Sequence, residues 1–428
     1  MDDFKEKQTN ANIIPKEDDH EEEVIQMTDE MVFDTFSEDE EEEVVSLEDE
    51  DEFTEEEYQK YLNEEEEIEN KDDAVLVFRG HRPQNGVFCC ALSKDAQLAA
   101  TGGQDDKAFL WNAVTGEIII ECTGFEDSVI SVGFNHNDKY MAAADMSGII
   151  KVWHIENKTC IWQVNIENIV CMQWHKSSNV LLVGVTSGNL YMYNIPDGNV
   201  KVFAQGYGDP LETFVIFPDG LRAAVGFESG KIHVLDLKTN TVLSRTPSDP
   251  KRLHGHQYSV LTIDCHLINN TLISGSKSGQ VIISSASTGK VLSVLYDPNP
   301  EPDKTITVES VVFSTIPSSF NCAAAAILED CNWGRIVIWD VNTFTIRYNI
   351  SKLQGILKLI WTNDNILFAT GINGPLLGFS VTHGSCSATF PGHKDKILDL
   401  HICEKTKRAL TVSDDSTARI FDVSGNVH

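Results

Sequence analysis

The chain has 428 residues, a formal net charge of −33 and a sequence pI near 4.6. No apolar run approaches the roughly 18 residues that read as a spanning helix, and Lys and Arg nowhere cluster as phosphate-backbone binding requires, which argues against a membrane protein and a direct nucleic-acid binder. Ten cysteines without a C-x-x-C pair or neighbouring histidines, behind an MDDFKEKQTN opening that lacks a secretion pattern, predict reduced and mostly buried thiols in a cytoplasmic or nuclear protein.

The charge is unevenly placed. Residues 1–73 hold 33 Asp and Glu against 5 Lys and no Arg, a net of −28, whereas residues 74–428 hold 33 acids against 28 bases, a net of −5. The segment 1–73, with runs such as SEDEEEEVVSLEDEDEF, has too little apolar content to offset the entropy of ordering, and its like charges repel. It reads as a disordered acidic tail, acting as a solubility device or a mobile counter-charge. Within it Val24, Met27, Met31, Val32 and Phe36 form a weak helical stripe suited to docking on binding, and Ser37 and Ser46 precede acidic residues as acidophilic-kinase sites do.

From Ala74 onward the chain repeats. A tight turn, then an alternating strand ending in an aromatic or bulky residue, recurs with that residue at Trp111, Trp153, Tyr193, Leu235, Ser284, Trp339, Phe379 and Phe421. Five residues earlier stand Gly148, Gly188, Gly230, Gly279, Gly334 and Gly374, with Asp106 and Ser416 in the first and last copies, which predicts a positive φ at that turn position. Two short apolar runs precede each such strand, as in VFCCAL then QLAAT, and a fourth strand fits in each connector. The copies around Leu235 and Ser284 depart furthest from the pattern. GSKSG (Gly275 to Gly279) lacks the spacing and following helix of a phosphate loop and reads as the turn of the fifth copy.

Gly80-His81, Gly255-His256 and Gly392-His393 stand upstream of the strand-end residue at the distance found in WD-repeat blades. The chain after Asp73 resembles the WD-repeat family, which implies an all-β fold: a single eight-bladed β-propeller at residues 74–428. Seven blades with one degenerate repeat is the alternative. The run AVLVF (Ala74 to Phe78) would pair with the last blade and close the ring. The resemblance implies buried networks of His81, Asp105 and Trp111 in the first blade and of His393 and Asp415 in the last, with Ser413 as a further member and Phe421 unable to donate. Such histidines are scaffold rather than catalysts.

No Walker loop, nucleophile elbow or H-E-x-x-H is present, and the reading is of a non-enzyme with no cofactor, metal or catalytic residue. Lys251-Arg252, the one dense basic spot, reads as a solvated loop. The residue two before the first apolar position of the inner strand is Asp127, Glu167, Glu212, Glu309 or Asp395 in five copies, and Asn85, Tyr258 or Gln354 in the others. Turns of the same face add Asp105, Asp106, Asp145, Glu228, Asp414 and Asp415. Polar loops are ordinary, yet carboxylates converging on one face would focus a negative potential and attract a basic segment. The candidate acidic face is therefore Asp127, Asp145, Glu167, Glu212, Glu228, Glu309 and Asp395.

The EDEEEE tail, the FRGH motif at Phe78 to His81, the ATGGQDDKAFLWN first blade and the SDDSTARIFDV closing blade resemble the angio-associated migratory cell protein family. That resemblance implies a dedicated chaperone, as in the fungal branch, for a newly made, basic large-subunit ribosomal protein. The animal branch implies instead a cytoplasmic scaffold in cell migration and small-GTPase signalling. The expected partner is a basic protein segment, with no nucleic acid or membrane, and the expected state is a monomer.

Overall fold

The computed structural model describes residues 71–204, 206–298, 305–316, 321–330 and 332–425. The acidic segment through Asn70, with its helical stripe and its two serines, lies outside them. The described residues form eight four-stranded antiparallel sheets and no helix. Each sheet is an up-and-down meander whose first strand lies innermost, against the first strands of its neighbours. The blades run Val87–Cys122, Val129–Asn165, Ile169–Ala204, Leu211–Thr246, Val260–Tyr296, Ile306–Gln354, Ile356–Phe390 and Ile397–Asp422. The ring is an eight-bladed propeller, and the two divergent copies form blades 4 and 5 with the same four strands as the rest.

A sheet buried on both faces reads as a continuous apolar run rather than an alternating one. Second strands such as Tyr140–Asp145 (YMAAAD) and Cys322–Glu329 (CAAAAILE) are of this kind. In the latter Ala323 and Ala325 pack towards blade 5, while Ala324 and Ala326 pack towards blade 7. Alanine there lets neighbouring sheets converge. The core is accordingly eight apolar clusters, one at each blade-to-blade interface. Cys89 and Cys90 separate the same way: Cys89 packs against blade 2 and Cys90 against blade 8, and burial pushes both thiols up. The eight strand-end residues from Trp111 to Phe421 all sit in third strands and are all buried.

Leu76–Phe78 pairs antiparallel with Ala418–Ile420 as the outer strand of blade 8, joining both ends of the ring in one sheet. Phe78 then stacks on Trp111 of blade 1, with ring centroids 4.4 Å apart and planes 2° from parallel. The strand that completes the last blade thereby also seals the first interface.

Positive φ occurs at Gly148 (+110°), Gly188 (+84°), Gly230 (+88°), Gly279 (+79°) and Gly374 (+96°), and without glycine at Asp106 (+58°) and Ser416 (+66°). At Gly148 the need is double, since an added Cβ would lie 2.4 Å from the Ile166 carbonyl oxygen. Gly334 differs. It lies inside the third strand of blade 6, Trp333–Asp340, because the second and third strands there run to 8 residues each and carry the turn beyond it. Arg252 also departs from the sequence reading of a solvated loop. It pairs with Asp297 and donates to the Ser278 carbonyl at 3.4 Å, tying the loop before blade 5 to the connector after it.

Candidate protein-binding face

In most blades the first residue of the turn between second and third strands donates its backbone N–H to the loop that leads into the inner strand. Gln104 to Gly86 (2.9 Å), Met146 to Ser128 (3.0 Å), Glu228 to Pro210 (2.9 Å) and Lys277 to Ser259 (2.9 Å) are examples. This repeated bond sets turns and loops side by side on one face of the ring. Directly below, the first buried residue of every inner strand (Val87, Val129, Ile169, Leu211, Val260, Val308, Ile356, Ile397) is followed by a β-bulge. A bulge re-aims the side chain it carries.

Polar staples hold loop to turn, and they differ from blade to blade. In blade 1 His81 Nδ1 donates to Asp105 Oδ1 (2.8 Å), Thr101 Oγ1 lies 3.1 Å from His81 Nε2, and Trp111 Nε1 donates to Thr101 Oγ1 (3.3 Å). His81, Asp105 and Trp111 are thus brought together, with Thr101 as the hinge that sequence reading missed. Blade 8 places His393 Nδ1 at 2.9 Å from Asp415 Oδ2 and His393 Nε2 at 2.8 Å from Thr411 Oγ1. Ser413 does not join it; its hydroxyl donates to the Asp395 carbonyl at 3.0 Å. Thr411 takes that role because it sits at the register of Thr101, opposite Arg419 as Thr101 is opposite Phe109. Although burial works against ionisation, the His393 bond holds the Asp415 carboxyl well below the usual carboxylate range, and Arg419 Nη1 adds a bond of 2.7 Å. In blade 5 Gln280 and Ser274 take the carboxylate and threonine places, at 3.0 and 2.8 Å from His256. Blade 6 has the strand-end Trp339 but no histidine, and its indole N–H has no partner among the described residues.

The remaining staples come from the supposed acidic face, which corrects part of that reading. Asp145 is fully buried and accepts from Ser147 Oγ (2.8 Å) and from the backbone of Glu126 (2.9 Å), Gly148 (3.0 Å) and Ile149 (2.8 Å). It is not on the surface; blade 2, lacking a Gly-His pair, uses it to do the same work. Glu167 is half-buried and accepts from Ser187 Oγ (2.7 Å) and Tyr191 OH (3.2 Å), the staple of blade 3. In blade 4 the loop position belongs to Asp209, not Glu212, and Asp209 accepts from the Ser229 N–H (3.1 Å) and pairs with Lys231 (3.2 Å). In blade 6 the equivalent position is Ile306, which lies inside the lengthened inner strand paired with Glu329, and not Glu309. Both misplacements follow from the bulge, a one-residue insertion that hydrophobic spacing does not reveal.

Glu212 and Glu309 are instead the bulged residues, one past Leu211 and Val308, and are half-buried at the inner strands. Burial pushes the Glu212 carboxyl up, the charge of Glu228 adds to this, and the Ser259 hydroxyl and Lys277 oppose it. Glu309 accepts from Thr307 Oγ1 at 2.5 Å. Asp127, Glu228 and Asp395 are exposed; none of the five is ion-paired within the described residues, whereas Asp414 is matched by Lys396 at 3.1 Å. The mouth therefore carries Asp127, Glu212, Glu228, Glu309 and Asp395 without an ion pair among the described residues, interleaved with exposed Tyr258 and Met146. Within the described residues no group of three or more His, Cys, Asp or Glu is placed to hold a metal ion.

The WD domain, G-beta repeat model matches residues 73–112, 116–154 and 384–422, which span the first three strands of blades 1, 2 and 8, each with the outer strand of the blade before it. Human angio-associated migratory cell protein is 32% identical over 367 residues, covering 83% of this chain and 81% of the relative. The chain belongs to the angio-associated migratory cell protein family. Ribosome assembly protein SQT1 of Saccharomyces cerevisiae is a more distant member of the comparison, 24% identical over 398 residues and covering 83% of this chain and 88% of its own. Solved structures show the same ring: Saccharomyces cerevisiae Sqt1 superposes with a TM-score of 0.72 at 20% identity, covering 83% of this chain and 100% of its own. Chaetomium thermophilum Sqt1 bound to the N-terminus of ribosomal protein L10 gives 0.69 at 18% identity, covering 82% and 100%.

Proposed function

We propose that this chain is a non-catalytic propeller that holds a basic, newly made large-subunit ribosomal protein until assembly. The observation that carries the reading is the set of five carboxylates around one mouth of the ring that have no ion pair among the described residues. It is supported by a relative named for ribosome assembly and by a structural neighbour bound to a ribosomal protein N-terminus. Ribosomal proteins carry Lys- and Arg-rich extensions made for RNA, and a carboxylate-lined mouth takes one such segment while the acidic segment 1–73 screens it from other polyanions. Exposed ion pairs contribute only about 0–1 kcal/mol each, so affinity comes from many contacts together with apolar anchoring. Release follows when ribosomal RNA offers denser phosphate. The chain acts as a monomer in the cytoplasm or nucleus and meets neither membrane nor nucleic acid directly.

The test is a pull-down from cell extract with the whole chain and with residues 74–428, at low and high salt. Co-translational recovery of one basic ribosomal protein, lost as salt rises, is the expected result. The second reading, favoured by the naming of the 32% identical relative, is a scaffold in cell migration. Recovery of signalling proteins alone, unchanged by salt, would replace the chaperone with that scaffold.

A further inference from the structure

We infer that the end of the ring opposite the acidic mouth carries a pocket for a nucleotide-type ligand, a planar nitrogen heterocycle joined to phosphate, held by the inner strands of blades 8, 1, 2 and 3. Those strands start at the acidic mouth and end at Cys403, Leu92, Phe134 and Trp174, where they border a cavity of about 650 Å³. The space has a local cause. At one register position blades 8 and 3 carry His401 and Gln173, while blades 1 and 2 between them carry Ala91 and Gly133. The two small residues leave the room that the two large ones flank. Leu92, Phe134, Met172 and Trp174 supply apolar walls. A cavity of this size with mostly apolar walls and a few polar groups is the usual form of a small-molecule site.

Two observations set the chemistry. The side chains of His136, Gln173 and His401 line this cavity and form no hydrogen bond among the described residues, although His136 Nδ1, Gln173 Oε1 and His401 Nδ1 are shut off from solvent. His81, His175, His256 and His393 are all bonded. None of the three gives up a protein hydrogen bond by turning, so each is at liberty to meet a ligand. Burial pushes His401 down to about 4, with the charge of Lys358 adding to it and Asp399 opposing, so its ring is neutral, with one N–H and one bare nitrogen. A heterocycle edge, with donors and acceptors side by side, matches an amide and a neutral imidazole; a bare phosphate, which mainly accepts, leaves the Gln173 carbonyl without a donor. The second observation is charge. Lys94, Lys176 and Lys405 stand exposed at the opening, and none is ion-paired among the described residues. The two acids lining the same opening are committed: Asp138 accepts from the Lys94 N–H (2.9 Å), and Glu404 pairs with Lys407 (2.9 Å) and accepts from the Asn363 N–H (3.0 Å). The ring therefore ends in lysines opposite its acidic mouth, and ammonium groups hold phosphate as point charges.

The experiment is isothermal titration calorimetry of the full chain with ADP and GDP, and with adenosine, guanosine and inorganic pyrophosphate as their separate halves. The tighter diphosphate should bind about tenfold more strongly than either of its halves. Lys176→Met and Lys405→Met, on exposed residues that leave the fold intact, should each weaken it about fivefold and leave the nucleoside unchanged. Gln173→Leu should weaken nucleotide and nucleoside alike by about tenfold and leave pyrophosphate unchanged. Lys277→Met, at the other mouth, should change nothing. Pyrophosphate binding as tightly as the nucleotide would reduce the opening to a rim that gathers counter-ions and overturn the pocket. So would the absence of binding by both ADP and GDP, or binding that neither lysine variant alters. Should Gln173→Leu lower the melting temperature, the two lysine variants decide by themselves. Capture of a basic segment at the acidic mouth stands or falls separately from each of these results.

Discussion

Asp415 shows how much one buried carboxylate can hold. It meets His393 and Arg419, and Arg419 is 3% exposed, so removing the acid leaves a buried cation with Asp72 alone, at 3.3 Å, to offset its charge. Asp415→Ala should cost about 3–5 kcal/mol, seen as a lower melting temperature in calorimetry, whereas Asp127→Ala, on an exposed loop, should cost under about 0.5. A neutral outcome for Asp415→Ala would mean that the network carries no stability. Histidine supplies the pH dependence. Burial pushes His256 down to about 4, from an ordinary value near 6.5, with the charge of Arg252 adding to it. Between those values the unfolded chain binds a proton that the folded chain refuses, so stability is complete above about pH 6.5 and falls as pH drops towards 4. The loss is on the order of 3 kcal/mol for this residue, and His256→Asn should flatten that part of the stability-against-pH curve. Below it, protonation of Asp105 and Asp415, whose carboxyls are held low in the fold, removes a further share.

At the scale of the element, the closing strand is three residues long and cannot be stable by itself. Its hold comes from pairing with Ala418–Ile420, from Phe78 on Trp111, and from Asp72, which bonds Arg419 at 3.3 Å. Deleting residues 1–79 should therefore lower the melting temperature by several degrees and speed amide exchange in Ala418–Asp422, because the outer edge of blade 8 opens. Deleting only 1–70 leaves those contacts in place and should change neither. Turns give a sharper test. Gly148→Ala sets a Cβ at positive φ against the Ile166 carbonyl and should cost more than 1 kcal/mol in denaturant unfolding, while Gly334→Ala, in a strand without positive φ, should cost less. The turn periodicity was legible in the sequence at this scale, because a positive φ leaves a glycine behind. The lengthened hairpin of blade 6 was not, since Gly334 keeps its distance from Trp339 whether the turn falls before or beyond it.

The whole ring separates scaffold from surface. Charge reversal at Glu212 and Glu309 should weaken capture of a basic ribosomal-protein segment at least tenfold, with the difference shrinking as salt screens the mouth; unchanged capture would dismiss the face as a binding site. A chain of aspartates and glutamates in loops looks uniform in one dimension. In the ring Asp145 is buried, Glu167 and Asp209 are staples, and Asp127, Glu212, Glu228, Glu309 and Asp395 stand at the mouth without an ion pair among the described residues. What the sequence determined by itself was the repeat: apolar runs of strand length, turn glycines at one register, Gly-His pairs and strand-end aromatics are local requirements, so each copy states them again. The family model reaches only blades 1, 2 and 8, yet the other five bury their strands in the same way, because burial between two neighbours asks for apolar residues and not for a motif. Tertiary structure alone decided which carboxylates face solvent. That choice turns on a bulge of one residue and on whether a neighbouring turn supplies a donor, and neither leaves a periodic trace along the chain.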